Sequence, residues 1–110
     1  MEIYIKSYEE LSKDEFFDIV RVRAQTFVVE QAINYVDVDE QDKDCYHVWL
    51  ADQDGIEAYM RIYLRAGAAS MGRVLTRKRG IGLGRRLVQI GIETIRDLYD
   101  VSSIVIHAQV

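Results

Sequence analysis

Arg79-Gly80-Ile81-Gly82-Leu83-Gly84 places three glycines at alternate positions directly before the helical run Arg85 to Tyr99. The residues before it, Arg73-Val74-Leu75, read as a strand. A strand, a glycine turn and a helix in that order expose bare backbone amides at the positive end of a helix dipole, which is an anion site and most often a phosphate site. Arg73, Arg77, Lys78, Arg79, Arg85 and Arg86 bring six cationic side chains into the fourteen residues around it. A phosphorylated cofactor is the expected guest. The loop lacks the Gly-Lys-Ser/Thr ending of a P-loop, and the dinucleotide pattern G-x-G-x-x-G fails because its last position falls on Arg85.

Outward from this loop the chain divides into short elements. Residues 2–6 alternate, with Ile3 and Ile5 on one face, and read as a strand. Ser12-x-x-Glu15 is a capping box that starts a helix at Lys13. Phe16, Ile19, Val20, Arg23 and Phe27 form its core stripe. Arg23 within that stripe requires a carboxylate or a ligand. Glu30 returns to the same face two turns later, either as an ion-pair partner or as a wall of an acceptor pocket. Asp37, Asp39, Glu40, Asp42 and Asp44 follow, five carboxylates in eight residues. No alignment of them supplies both the glycine and the glutamate of an EF-hand, so a solvated acidic loop, or a surface for a cationic acceptor, is expected and no metal site.

Tyr46 to Asp52 is a strand, and Asp54-Gly55 is a hairpin turn signal. In the next strand Ile56, Ala58, Met60, Ile62 and Leu64 share one face, and Glu57, Tyr59, Arg61, Tyr63 and Arg65 the other. Gly67 to Ser70 reads as a turn and Met71 to Thr76 as a strand. The helix over 83–99 has two apolar stripes, and Ser103 to His107 reads as a central parallel strand. The order β-α-β-β-β-α-β predicts a mixed α/β sheet with helices on both faces.

The 110 residues predict one domain, 1–110. A net charge of -4 disfavours nucleic acid as a partner, and no apolar run approaches a membrane span. Cys45 is the only cysteine, so no internal disulfide is possible. The amino-terminal residues lack a signal-peptide layout, and a cytoplasmic location is expected.

Arg79-x-x-Gly82-x-Gly84 matches the Arg/Gln-x-x-Gly-x-Gly/Ala signature and resembles motif A of the GNAT N-acetyltransferases. Arg23-Ala24-Gln25-Thr26-Phe27-Val28-Val29-Glu30-Gln31 is similar to a segment of the ElaA-like branch. Tyr35 to Asp39, His47, Ala58-Tyr59-Met60-Arg61, Gly72-Arg73-Val74 and Ala108-Gln109 continue the likeness in order. The resemblance covers the first three-quarters of that fold; family members continue with a further helix and two strands, so a C-terminally truncated domain is expected. The exposed last strand would then favour a homo-oligomer.

The resemblance implies an enzyme that transfers an acetyl group from acetyl-CoA, its co-substrate, to a primary amine of a small molecule or peptide, by direct attack on the thioester. It implies that Val74, Leu75 and Thr76 bind the pantetheine arm, and that Arg79, Gly80, Ile81, Gly82, Leu83, Gly84 and Arg85 hold the pyrophosphate. Glu30 and His47 are the candidate bases, and Arg23, Phe27, Tyr35 and Arg61 are candidate acceptor contacts. Arg61 either orients the acceptor or pairs with the acidic loop. Cys45 beside His47 is a weaker candidate nucleophile. The alternative is a non-catalytic or vestigial acyl-CoA-binding or interaction domain.

Overall fold

The computed structural model describes residues 1–30, 32, 36–78 and 80–107. Strand β1 (Glu2–Ser7) leads through a short 3-10 turn to helix α1 (Lys13–Arg23). The Ser12 hydroxyl accepts from the Glu15 amide at 3.0 Å, and the Glu15 carboxylate accepts from the Ser12 amide at 2.9 Å, so the capping box forms. The chain then widens into a π-helical stretch, Ala24–Glu30. A 3-10 turn, Glu40–Lys43, precedes strand β2 (Tyr46–Asp52). Strand β3 (Gly55–Arg65), strand β4 (Ala68–Thr76), helix α2 (Leu83–Leu98) and strand β5 (Ile104–Ile106) complete the order.

Among the described residues five strands form one sheet in the order β1-β2-β3-β4-β5. The first three pairings are antiparallel and β4–β5 is parallel, so α2 is the crossover. Each face of the sheet carries one helix. Val48, Leu50, Ala58, Met60, Ile62, Ala69 and Met71 pack against Leu87 and Ile95 of α2. Trp49, Ile56, Tyr59 and Leu75 pack against Ile19, Val22 and Phe27 on the α1 side. Gly91 lets α2 lie close: a Cβ there would stand 2.8 Å from Met60 Sδ.

Three expectations change. The turn before β4 is only Ala66-Gly67, both at positive φ (52° and 81°), and β4 begins at Ala68 rather than Met71. Two central residues of that hand match the twist of a two-residue hairpin. Second, β3 does not alternate cleanly. Leu50 pairs with Ala58 and Ala51 with Ile56, so β3 carries an extra residue that turns Ile56 to the α1 side. Third, β5 pairs in parallel as read, but it lies where the exposed last strand was expected rather than at the central position its composition suggests. Among the described residues it is the sheet edge, with Ile104, Val105 and Ile106 36–47% exposed.

Candidate functional site

On the α1 face the buried groups are mainly polar. Arg23 is completely buried; its Nη1 donates to Asp42 Oδ1 at 2.6 Å and its Nη2 to the Asp37 carbonyl at 2.6 Å. Arg61 Nη1 donates to Asp39 Oδ1 at 2.6 Å and to Asp42 Oδ1 at 3.0 Å. Arg73 Nε donates to Asp37 Oδ1 at 3.1 Å. Asp39 also caps the 3-10 turn, accepting from the Gln41 amide at 3.1 Å, while Asp42 Oδ2 accepts from the Asp39 amide at 3.0 Å.

The acidic loop is therefore not solvated as expected. Asp37 and Asp42 are 8% and 1% exposed, and the loop is folded inward to neutralise three arginines contributed by α1, β3 and β4. The Arg61 hydrogen bond holds Asp39 below the usual carboxylate range. Burial pushes Asp42 up, but the bond and charge of Arg23, the Asp39 amide and Arg61 outweigh it, and its carboxyl also lies below that range.

Several expected site residues belong to this interior network. His47 is completely buried: Nδ1 lies 2.6 Å from the Tyr59 hydroxyl and Nε2 lies 3.0 Å from the Asp42 carbonyl. Burial lowers its pKa. Both ring nitrogens are occupied and neither faces solvent, which is poor geometry for a base acting on an incoming amine. Cys45 Sγ does share a face with His47, at 3.4 Å from Nε2, yet burial pushes its thiol up to about 12, the opposite of nucleophile activation.

Phe27 has no exposed surface and belongs to the α1-side core. Glu30 is exposed, and the ion pair expected with Arg23 does not form; Asp37 and Asp42 take that place. The stretch between them is π-helical, and its i→i+5 bonding breaks the 3.6-residue repeat on which the expectation rested. Arg61 is 3% exposed and pairs with the acidic loop. Tyr35 and Arg79 lie outside the described residues.

The second feature is a fork between β4 and β5. Among the described residues their pairing runs from Ala69–Ile104 to Met71–Ile106, and the His107 amide donates to the Met71 carbonyl at 2.8 Å. Just beyond, Tyr59 pairs with Leu75 and Arg61 with Gly72, two steps on β3 against three on β4. This bulge holds Arg73 at φ +52°, a left-handed conformation costing a non-glycine residue roughly 1–3 kcal/mol. It turns Arg73 toward Asp37. The Arg77 amide donates to the Glu57 carbonyl of β3 at 2.8 Å. Amides alternate along a strand, so those of Val74 and Thr76 point to the opposite edge, which β5 leaves unpaired among the described residues, while that of Leu75 faces β3.

The glycine loop lies at the end of the same strand. Gly80 and Gly82 have φ of 78° and 73°, and Gly82 is the residue before α2, which has no capping side chain. A Cβ on either glycine would meet nothing within 4 Å, so there is open space beside the loop backbone. Leu83 anchors the helix start in the core, while Ile81 and Arg85 are exposed and Gly84 lies beside Thr76. The cationic cluster is smaller than counted from sequence. Lys78 Nζ is held by Asp52 at 2.7 Å and Glu57 at 3.0 Å, and Arg73 by the acidic loop.

The residues that sequence reading missed are Tyr59, Asp42 as the shared anion, and His107. The Asp39-x-x-Asp42 capping pattern was a usable signal that the acidic stretch is folded.

This fold, with its bulged β4 and open helix start beside a parallel fork, is that of the GNAT acyl-CoA N-acyltransferases. A Pseudomonas aeruginosa acyl-CoA N-acyltransferase superimposes with a TM-score of 0.84 at 28% identity, over 89% of this chain and 72% of its own. Escherichia coli ElaA does so with a TM-score of 0.91 at 28% identity, over 98% of this chain and 78% of its own. No protein-family model matches the chain. It is 33% identical over 106 residues to a UPF0039 protein of Schizosaccharomyces pombe (93% of this chain, 71% of that protein). It is 35% identical over 92 residues to a UPF0039 protein of Synechocystis sp., matching 78% of this chain and 60% of that protein. The chain belongs to the UPF0039 family, and its match to the Synechocystis member spans less than two-thirds of that protein's length.

Proposed function

We propose that the chain, as one domain over residues 1–110, forms the acetyl-CoA-binding part of an N-acetyltransferase that acetylates a primary amine by direct attack on the thioester. One observation carries this reading. The β4 edge at Val74 and Thr76, unpaired among the described residues, leads toward the glycine-opened start of α2, which has no capping side chain.

Bound acetyl-CoA would supply the thioester at which the amine reacts. The amides of Gly80 to Arg85, with Arg79, would hold its pyrophosphate, the anion a helix start favours. The Val74 and Thr76 amides would fix the pantetheine arm and polarise the thioester carbonyl. Leu75 would contribute through its buried side chain. Positioning of two substrates supplies much of the rate in such a transfer. Of the two candidate bases we assign proton removal to Glu30, the exposed one, and a structural role to His47. Arg23 and Phe27 support the site from the interior, and Tyr35 remains a proposed acceptor contact.

Calorimetric titration of the chain with acetyl-CoA, beside Gly82→Val, tests the assignment. A β-branched residue at φ +73° is a backbone outlier, so the loop must change shape. The expected result is saturable binding by the wild type, weakened about tenfold or more in a variant that still melts cooperatively. Failure of the folded wild type to bind would overturn the reading in favour of an interaction domain. Binding without turnover of any amine would leave a non-catalytic acyl-CoA-binding domain.

A further inference from the structure

Beside the fork, on the α1 face, lies a pocket of about 300 Å³ lined by Asp39, Arg61, Tyr63, Gly72, Arg73 and His107, with Arg65 at its edge. His107 and Gly72 directly follow Ile106 and Met71, the last β4–β5 pair among the described residues, so the pocket adjoins the mouth of the fork. Its charge is unbalanced. Asp37, Asp39 and Asp42 are matched by Arg23, Arg61 and Arg73. Arg65 comes in addition, exposed and in no ion pair among the described residues. Asp39 does present a carboxylate here, but Arg61 holds its Oδ1 at 2.6 Å and its Oδ2 at 3.1 Å.

Two details point to a ligand. Arg61 Nε is buried and donates to nothing among the described residues, in a residue that is 3% exposed. Buried donors without acceptors are rare in folded proteins and are costly unless something else satisfies them. Directly over it lies Gly72. A Cβ there would stand 3.5 Å from Tyr63 Cε1, 3.6 Å from the Tyr63 hydroxyl and 3.8 Å from Arg61 Nε, all ordinary contacts. Neither a positive φ nor a clash demands this glycine; what its missing side chain leaves is space above a donor. The Tyr63 hydroxyl, a second donor, makes no hydrogen bond among the described residues.

We propose that this pocket holds an anionic group of the acceptor, which makes the acceptor a primary amine carrying a carboxylate or phosphate at its other end. This rests on the acetyltransferase reading for the word acceptor, but not for the anion site itself. Arg65 supplies the long-range attraction, and Arg61 Nε and the Tyr63 hydroxyl supply short directional bonds. The acidic loop, which from sequence suggested a cationic acceptor, has its charge consumed internally.

The test is direct binding, separate from turnover. O-Phosphoethanolamine and β-alanine are titrated against ethanolamine and propylamine, their uncharged-tail counterparts, into the full chain, with acetyl-CoA titrated in parallel. The expected result is binding of one or both anionic amines about tenfold or more tighter than the neutral ones, and which of the two binds distinguishes phosphate from carboxylate. Arg65→Ala, a surface change that leaves the interior network intact, should remove most of that preference, and Arg65→Lys should keep part of it. Gly72→Val, which fills the space without altering charge, should abolish it. Equal affinity for charged and neutral amines by a chain that binds acetyl-CoA would overturn the anion pocket and leave the transferase reading standing. Anion binding that Arg65→Ala and Gly72→Val leave unchanged would overturn it equally. Anion preference without acetyl-CoA binding would sustain the pocket and sink the transferase.

Discussion

The two faces of the sheet are built on different physics. Under α2 the contacts are aliphatic and sulfur-containing: Val48, Leu50, Met60, Ile62, Met71, Leu87 and Ile95. Under α1, a comparable depth of burial is shared by Phe27 and Ile19 with Arg23, His47, Asp42 and Arg61. Burial of apolar area is non-directional and tolerates rearrangement, whereas a buried charge must keep its partner at a fixed distance. The α2 face therefore sets how firmly the sheet is held. The α1 face sets where one loop sits, because residues 37–42 can dock only with their carboxylates on the arginines. That loop, through Asp39, forms part of the wall of the pocket at the fork. The protein has spent stability on the face that shapes its candidate site.

The largest expected effect tests this division. Asp42→Ala removes the anion that Arg23 and Arg61 share, leaving two buried guanidinium groups underneutralised. Breaking a buried pair by deleting one partner costs about 3–5 kcal/mol. Denaturant unfolding should show a loss of that size, and a loss below about 1 kcal/mol would mean that the network is solvated and the contrast between the faces is false. On the other face, Gly91→Ala forces a Cβ against Met60 and Met71, whose flexible thioethers can shift by the few tenths of an ångström needed. Overpacking costs about 1–3 kcal/mol, partly offset because glycine is a poor helix former by about 1 kcal/mol. A destabilisation near 1 kcal/mol is expected by thermal melting, and a loss matching that of Asp42→Ala would erase the distinction.

The same contrast explains what was readable in the chain. The α2 face depends on local periodicity, and the alternation of β3 gives Ala58, Met60 and Ile62 of it, though Ile56 lies on the α1 side and Leu64 is exposed. The Ser12 capping box and the positive-φ glycines before α2 are equally local, and were readable for that reason. The α1 face depends on pairings across long separations: Arg23 with Asp42 is nineteen residues apart, and Arg73 with Asp37 thirty-six. The Asp39-x-x-Asp42 pattern marks a capped turn, but it does not say that Asp42 is buried against arginines while Asp44 is exposed. The π-helical stretch moved Glu30 away from Arg23, and the bulge at Arg73 depends on tertiary pairing rather than on any glycine. β5 has the composition of a central strand, but a strand's neighbours are a property of the sheet and not of its own residues.

The smallest effect concerns His47. Its neighbours are Lys6 of β1, paired directly opposite it, Phe16 of α1, Asp42 of the acidic turn, Cys45, and Tyr59 and Arg61 of β3, with Arg23 nearby. Burial depresses its folded pKa, and the Arg23 and Arg61 charges act in the same direction against the Asp42 carbonyl and charge. An unfolded histidine titrates near about 6.5. Below that pH the unfolded chain takes up a proton that the folded chain refuses, so stability is whole above about 6.5 and declines as pH falls toward the depressed folded value. Asp39 and Asp42, also depressed, add their own decline only in the carboxylate range, near about pH 4 and below. Denaturation midpoints measured from pH 7.5 to 5.5 should therefore fall modestly in the wild type, and this slope should be lost in His47→Gln. A wild-type midpoint that stays level, or rises, over that interval would mean that His47 carries a proton in the folded state. Its neighbours would then have to be arranged around an imidazolium, and the α1 face would hold one more positive charge than its three aspartates balance.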